Sequence, residues 1–237
     1  MLRITTLYDN YVRSSLPGLR SGWGFSCFIE YDDKVVLFDT GADGQTLLDN
    51  AERLRIDLRE VQVVALSHDH GDHTGGLTGF LTVNPSALIY LGRSFGPAVK
   101  GMVQSHGGRL MEVGSAMGLV PQIFTTGELG RGVKEQSLVL DVDARLVVIT
   151  GCAHPGIVEI ARFAKNEFGS DVYLVMGGFH LSGMPEKRVR SIAEELKEQG
   201  VQKAAPSHCT GDGAIAVFRE VFGGGFAEGG VGKVIEL

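Results

Sequence analysis

Between His68 and His73 this chain places three histidines and two aspartates in six consecutive residues, directly after the apolar run Val61 to Leu66. That density has no ordinary structural use. The apolar run reads as a buried strand, so the strand must stop where several imidazole and carboxylate groups can converge in a turn. Neutral imidazole is the commonest metal ligand. Aspartate adds a hard anionic oxygen, and the mixture suits zinc, iron or manganese. His68 and His70 lie two positions apart, which in extended backbone puts both side chains on one side. Asp72 and His73 are adjacent in a turn that opens a helix, and they can face a second ion. Paired ions of this kind commonly sit ~3.5–4 Å apart.

Other apolar runs end in turns of similar make-up. Val35 to Phe38 ends at Asp39-Thr-Gly41, and Asp32-Asp33 marks the hairpin turn before it. Leu146 to Thr150, paired with Ser137 to Asp141 around Asp143-Ala144, ends at Gly151-Cys-Ala-His-Pro-Gly156. Val172 to Met176 ends at Gly177-Gly-Phe-His180, and a later turn reads Pro206-Ser-His-Cys-Thr-Gly211. His154, His180 and His208 thus share one context, and strand ends are where α/β proteins place ligands and chemistry. Helical spacing appears at Leu47, Leu48, Ala51 and Leu54. It recurs from Ile157 to Phe168 and from Val189 to Leu196, with a shorter helix from about Gly213. Pro97 to Gln104 reads as a helix, Arg109 to Val113 as a strand and Gly232 to Leu237 as a closing strand. Hairpins mixed with strand–helix units point to sheets covered by helices. The expected organisation is one domain over residues 1–237, with a small insertion at about 95–126.

A net charge of −6 argues against a phosphate-backbone binder, so no nucleic-acid partner is expected. No run reaches the roughly 18–20 apolar residues of a membrane span. Three cysteines, Cys27, Cys152 and Cys209, and no secretory signal suggest a reducing cytoplasm. Cys27 and Cys209 read as packing residues. Asp39 reads as a carboxylate that orients a ligating histidine. Asp69 is expected to point away from the metals, and His106 to be exposed. Arg20 and Trp23-Gly-Phe25 precede the second strand; the aromatic pair reads as core, with stacking on a ring-shaped substrate as the alternative.

The motif His68-x-His70-x-Asp72-His73, flanked by Phe38-Asp-Thr-Gly41 and Thr74-Gly-Gly76, resembles the signature of the metallo-β-lactamase superfamily. The turns at Gly151–Gly156, Gly177–Leu181 and Pro206–Gly211 resemble its dihydropteroate-synthase-like, methanopterin-biosynthesis-like branch. The resemblance implies an α/β fold of the four-layer αββα sandwich type, with metals at the edge of the two sheets. It implies His208 as the last ligand and Cys152 where the superfamily usually has a bridging aspartate. A thiolate there would favour zinc. The superfamily's usual histidine before the 137–150 hairpin is replaced by Thr125-Thr-Gly-Glu128, which leaves His154, or else Glu128, to complete the first metal's shell. The expected metal set is His68, His70, Asp72, His73, Cys152, His154 and His208, holding two divalent ions, zinc before iron or manganese. Asp72 would orient a metal-bound hydroxide and His180 would donate a proton or contact the substrate. The expected activity is hydrolysis of an ester or phosphoester of a small anionic molecule, pterin- or nucleotide-like. An iron-dependent oxygenase and a ligand-binding protein with a degenerate metal site are the alternatives.

Overall fold

A computed structural model describes all residues, Met1–Leu237. The chain forms two compact units, residues 1–114 with 230–237, and residues 115–229.

The first unit carries a seven-stranded sheet. Its strands are β1 (Leu2–Tyr8), β2 (Ser26–Tyr31), β3 (Lys34–Phe38), β4 (Val63–Ala65), β5 (Leu88–Gly92), β6 (Arg109–Val113) and, from the end of the chain, β13 (Val234–Glu236), in the order β13-β1-β2-β3-β4-β5-β6. The β2–β3 pair is the expected antiparallel hairpin, turned at Asp32 with φ of 53°. From β3 to β6 the strands run parallel. The helices α1 (Gly44–Arg53), α2 (Gly71–Thr74), α3 (Leu77–Val83) and α4 (Pro97–Ser105) supply the crossovers. Leu47 and Ala51 of α1 and Leu77, Phe80 and Leu81 of α3 are buried with Leu37, Val64 and Ile89 in one apolar cluster.

The second unit carries a six-stranded sheet built from β7 (Met117–Val120), β8 (Ile123–Thr125), β9 (Leu138–Val142), β10 (Arg145–Thr150), β11 (Asp171–Gly178) and β12 (Lys203–Ser207), in the order β12-β11-β10-β9-β8-β7. Strands β7 to β10 are antiparallel neighbours, and β10, β11 and β12 are parallel. The β9–β10 turn places Asp143 and Ala144 at φ of 51° and 59°, the positive-φ pair that a tight hairpin demands. The parallel strands are linked by α5 (Ile157–Phe168) and α6 (Glu186–Glu198), and α7 (Asp212–Phe222) follows β12. Ile160, Ala161 and Ala164 of α5, Ile192 and Leu196 of α6 and Val217 and Phe218 of α7 are buried with Val148 and Val175 of the sheet.

Four strands escaped the sequence reading. In β1 the buried Thr5 and Thr6 mask the apolar pattern, and β12 (Lys-Ala-Ala-Pro-Ser) has none of the branched residues that mark a strand. Strands β7 and β8 are only four and three residues long. No helix is long and apolar enough to cross a membrane.

Candidate metal centre

Parallel pairing decides where the ligands of the first unit emerge. The register Phe38↔Ala65 ends β3 and β4 together, so Asp39 leaves one strand beside the Leu66-Ser67-His68 exit of the other. Asp39 takes a positive φ of 55°, and its backbone N–H donates to the Ala65 carbonyl at 2.9 Å. Its fully buried carboxylate accepts from the Ser67 backbone N–H (2.6 Å), the Ser67 hydroxyl (2.7 Å) and His73 Nδ1 (2.7 Å). The Ser67 hydroxyl has one proton, which it gives to Asp39. At 2.8 Å, His68 Nδ1 must therefore donate to the Ser67 oxygen. Both buried imidazoles are thus Nδ1–H tautomers that keep the lone pair on Nε2, the arrangement that carboxylates impose on metal-bound histidines.

His68 Nε2 and His70 Nδ1 are 3.0 Å apart. Two nitrogens bound to one zinc at about 2.0–2.1 Å each stand roughly 3.3 Å from one another, so this pair fits a shared ion. His73 Nε2 lies 3.6 Å from an Asp72 oxygen, and the His68 and His73 rings are 4.3 Å apart. His68 and His73 are buried, Asp72 is half-buried and His70 is exposed. The helix α2 opens at Gly71 with His70 as its N-cap, as the turn reading required. Asp69 instead accepts from the Gly96 N–H at 2.7 Å, where α4 begins. The Thr-Gly-Gly motif has a steric basis. A Cβ on Gly76 would stand 2.0 Å from the Thr40 carbonyl oxygen, while Thr40 donates twice to the His73 carbonyl. The two glycines let the His73 helix close down on the Asp39 turn.

The second unit repeats the device. The registers Thr150↔Gly177 and Gly177↔Pro206 align the carboxyl ends of β10, β11 and β12. The turns bearing Cys152 and His154, His180, and His208 and Cys209 therefore leave one sheet edge. A Cβ on Gly177, at φ of +106°, would meet the Thr150 carbonyl oxygen at 2.0 Å, so only glycine permits that alignment. Three non-glycine residues in these turns take left-handed backbone: Ala153 (57°), His180 (52°) and His208 (49°). Such strain clusters at functional sites. Cys152 Sγ, Cys209 Sγ and a His180 ring nitrogen lie within 4.8 Å of one another, and the His154 and His180 rings are 4.4 Å apart. Cys152, Cys209 and His208 are buried, His154 is half-buried and His180 is exposed.

Glu135 is the residue beside the candidate ligands that sequence reasoning missed. It is buried, and its carboxylate accepts from the backbone N–H groups of Cys152 (2.9 Å), Ala153 (2.8 Å) and His154 (2.8 Å). This cradle fixes the turn that presents both side chains. Nothing around Val133-Lys-Glu-Gln marks it. The signal lies in the turn itself, whose three consecutive amides need an acceptor.

Cys27 is wholly buried. That burial, with Asp39 nearby as a smaller cause, pushes its thiol well above the ordinary range, as befits a packing residue. Cys209 is buried, and its Sγ lies within 4.8 Å of Cys152 Sγ and a His180 ring nitrogen. Glu128 is half-buried. His106 is half-buried and not exposed; its Nδ1, 2.9 Å from the Met102 carbonyl oxygen, caps the end of α4. Phe25 is core, whereas Trp23 is 60% exposed and takes no part in it.

The metallo-beta-lactamase superfamily profile matches residues 24–154, more than half of the chain. The chain belongs to the metallo-β-lactamase superfamily. It is 30% identical over 285 residues to the 7,8-dihydropterin-6-methyl-4-(beta-D-ribofuranosyl)-aminobenzene-5'-phosphate synthase of Methanocaldococcus jannaschii, covering all of this chain and 97% of that protein. This full-length match supports the methanopterin-related branch. Among solved structures it is similar to Tm1679, a metal-dependent hydrolase of the beta-lactamase superfamily, with a TM-score of 0.85 and 28% identity over 100% of this chain and 99% of that one. A diphosphatase from the PhnP family shares the fold, with a TM-score of 0.66 and 15% identity over 99% and 96% of the two chains. The mixed α/β fold that the motifs implied is the superfamily's.

Proposed function

We propose that the protein is a metal-dependent hydrolase acting on a phosphoester of a small, anionic, pterin-like molecule. The ligand set is His68, His70, Asp72, His73, Cys152, His154 and His208, serving two divalent ions, zinc in first place. The observation that carries this reading is the hydrogen-bond chain Asp39–His73 and Asp39–Ser67–His68. It holds two buried imidazoles in the ligating tautomer, a state with no other evident use. When bound, the metal pair supplies Lewis acidity and an activated water at neutral pH. The chain's own groups do the rest. Asp72, half-buried beside His73, orients the attacking water. His180, exposed at the edge of its sheet, gives a proton to the leaving oxygen.

The full-length similarity to a synthase favours a second reading. The product named for that relative combines a dihydropterin-6-methyl group with a ribofuranosyl-aminobenzene phosphate. In that reading the acceptor is an aryl amine and not water.

One assay separates the two. A 6-methyl-activated dihydropterin phosphoester and bis(4-nitrophenyl) phosphate are each incubated with zinc-loaded protein, with and without an aryl amine. Hydrolysis is expected without the amine, abolished by chelation and restored by zinc or manganese. Full activity after chelation contradicts metal dependence. Consumption that needs the amine replaces the hydrolase with the synthase.

A further inference from the structure

The second unit contains a cavity of about 360 Å³ that lies between the His154 and His180 turns and helix α6. That is within the range of small-molecule sites. His154 and His180 line it, together with apolar walls from Ile157, Leu181, Met184 and Ile192. Arg188, Ile192 and Glu195, at helical spacing, present one face of α6 to it.

The charged groups at this cavity, Glu159, Glu195, Arg162 and Arg188, cancel formally but are unevenly paired. Its two carboxylates, Glu159 and Glu195, are both engaged by Arg162, the latter at 2.9 Å. Arg188 is exposed and makes neither an ion pair nor a side-chain hydrogen bond. The His180 imidazole likewise makes no hydrogen bond within the chain, and its backbone is held in a left-handed conformation by Cys209 and the neighbouring Phe179–Thr210 contact. An apolar slot with one uncommitted guanidinium, opening on two imidazoles, matches a flat ring that bears an oxyanion.

We propose that this cavity binds the aromatic arm of an anionic substrate, with the ring against Ile157, Met184 and Ile192 and a phosphate or carboxylate on Arg188. The inference rests on the metallo-hydrolase reading and narrows its substrate to aryl-bearing oxyanions. Guanidinium suits the task because its planar fork matches phosphate and carboxylate geometry, and it cannot deprotonate.

The test uses zinc-loaded protein with labelled isoleucine and methionine methyl groups, titrated with phenyl phosphate, 4-hydroxybenzoate and inorganic phosphate. Phenyl phosphate and 4-hydroxybenzoate are expected to shift the Ile157, Met184 and Ile192 methyl signals, and inorganic phosphate to leave them in place. Arg188→Gln, on an exposed position, is expected to weaken both aryl ligands about tenfold, the scale of one charge-assisted hydrogen bond, with inorganic phosphate unaffected. Met184→Trp is expected to abolish the methyl shifts at Ile157. Aryl ligands that leave all three methyls unmoved, or that bind Arg188→Gln as tightly as the parent, overturn the proposal. Phenyl phosphate that binds in this way, while the zinc-loaded protein hydrolyses neither the dihydropterin phosphoester nor bis(4-nitrophenyl) phosphate, keeps the cavity assignment and removes the hydrolase reading.

Discussion

Asp39→Ala is expected to lose about 3–5 kcal/mol of stability, the scale of breaking a buried charged network, and to lose metal affinity with it. Three donors converge on this carboxylate: the Ser67 N–H, the Ser67 hydroxyl and His73 Nδ1. With alanine in place all three are buried without an acceptor. The His73 and His68 rings are then no longer held in the ligating tautomer, which in comparable sites costs ~10–100-fold in metal affinity. Alanine also tolerates φ of +55° poorly. Asp39→Asn separates the two effects, because asparagine accepts left-handed backbone yet offers one acceptor oxygen and a donor. It is expected to lose roughly half as much stability as the alanine variant and still to bind zinc more weakly. Denaturant unfolding and competitive zinc titration check both variants. An Asp39→Ala protein with parental stability would show that the network does not hold this turn.

Glu135→Ala is the second large effect, expected at about 3–5 kcal/mol because each buried N–H left without an acceptor costs ~1–3 kcal/mol. The three amides run consecutively from Cys152 to His154, and the central residue, Ala153, is itself in left-handed backbone. Without the carboxylate this turn has nothing to hold it closed. Glu135→Gln keeps one oxygen and is expected to lose roughly half as much. Amide hydrogen exchange gives the local readout. Protection at Cys152, Ala153 and His154 is expected to collapse in the alanine variant, while amides in β10 change only with global stability. Unchanged protection at those three positions would mean that other contacts fix the turn.

These two carboxylates show what a sequence reveals and what it hides. Asp39 was legible because it sits at the end of an apolar strand, where any acidic residue has few places to go. The density from His68 to His73 stood out because few structural roles call for so many imidazoles in one turn. Helices α5 and α6 were plain from their apolar spacing, since each covers a sheet with one face. Glu135 was invisible for the opposite reason: its partners are backbone amides, which any sequence possesses, brought to it across the β9–β10 hairpin. Strand β12 was hidden because small residues at a sheet edge carry no strand signature; its pairing with β11 makes it a strand. The nearness of the Cys209 sulfur to Cys152 and His180 was hidden because those residues lie far apart in the sequence. Arg188 looks like one more surface cation until Arg162 is seen to engage both nearby carboxylates.

The central proposal is that residues of the strand-end turns ligate two metal ions. Elemental analysis of natively purified protein, beside His73→Ala and Cys152→Ala, tests it most directly. The account predicts close to two equivalents of transition metal in the parent protein, with zinc dominant, and the loss of about one equivalent in each variant while far-ultraviolet circular dichroism stays unchanged. A folded parent protein that takes up no stoichiometric metal, or variants that retain the parent's full complement, would contradict it.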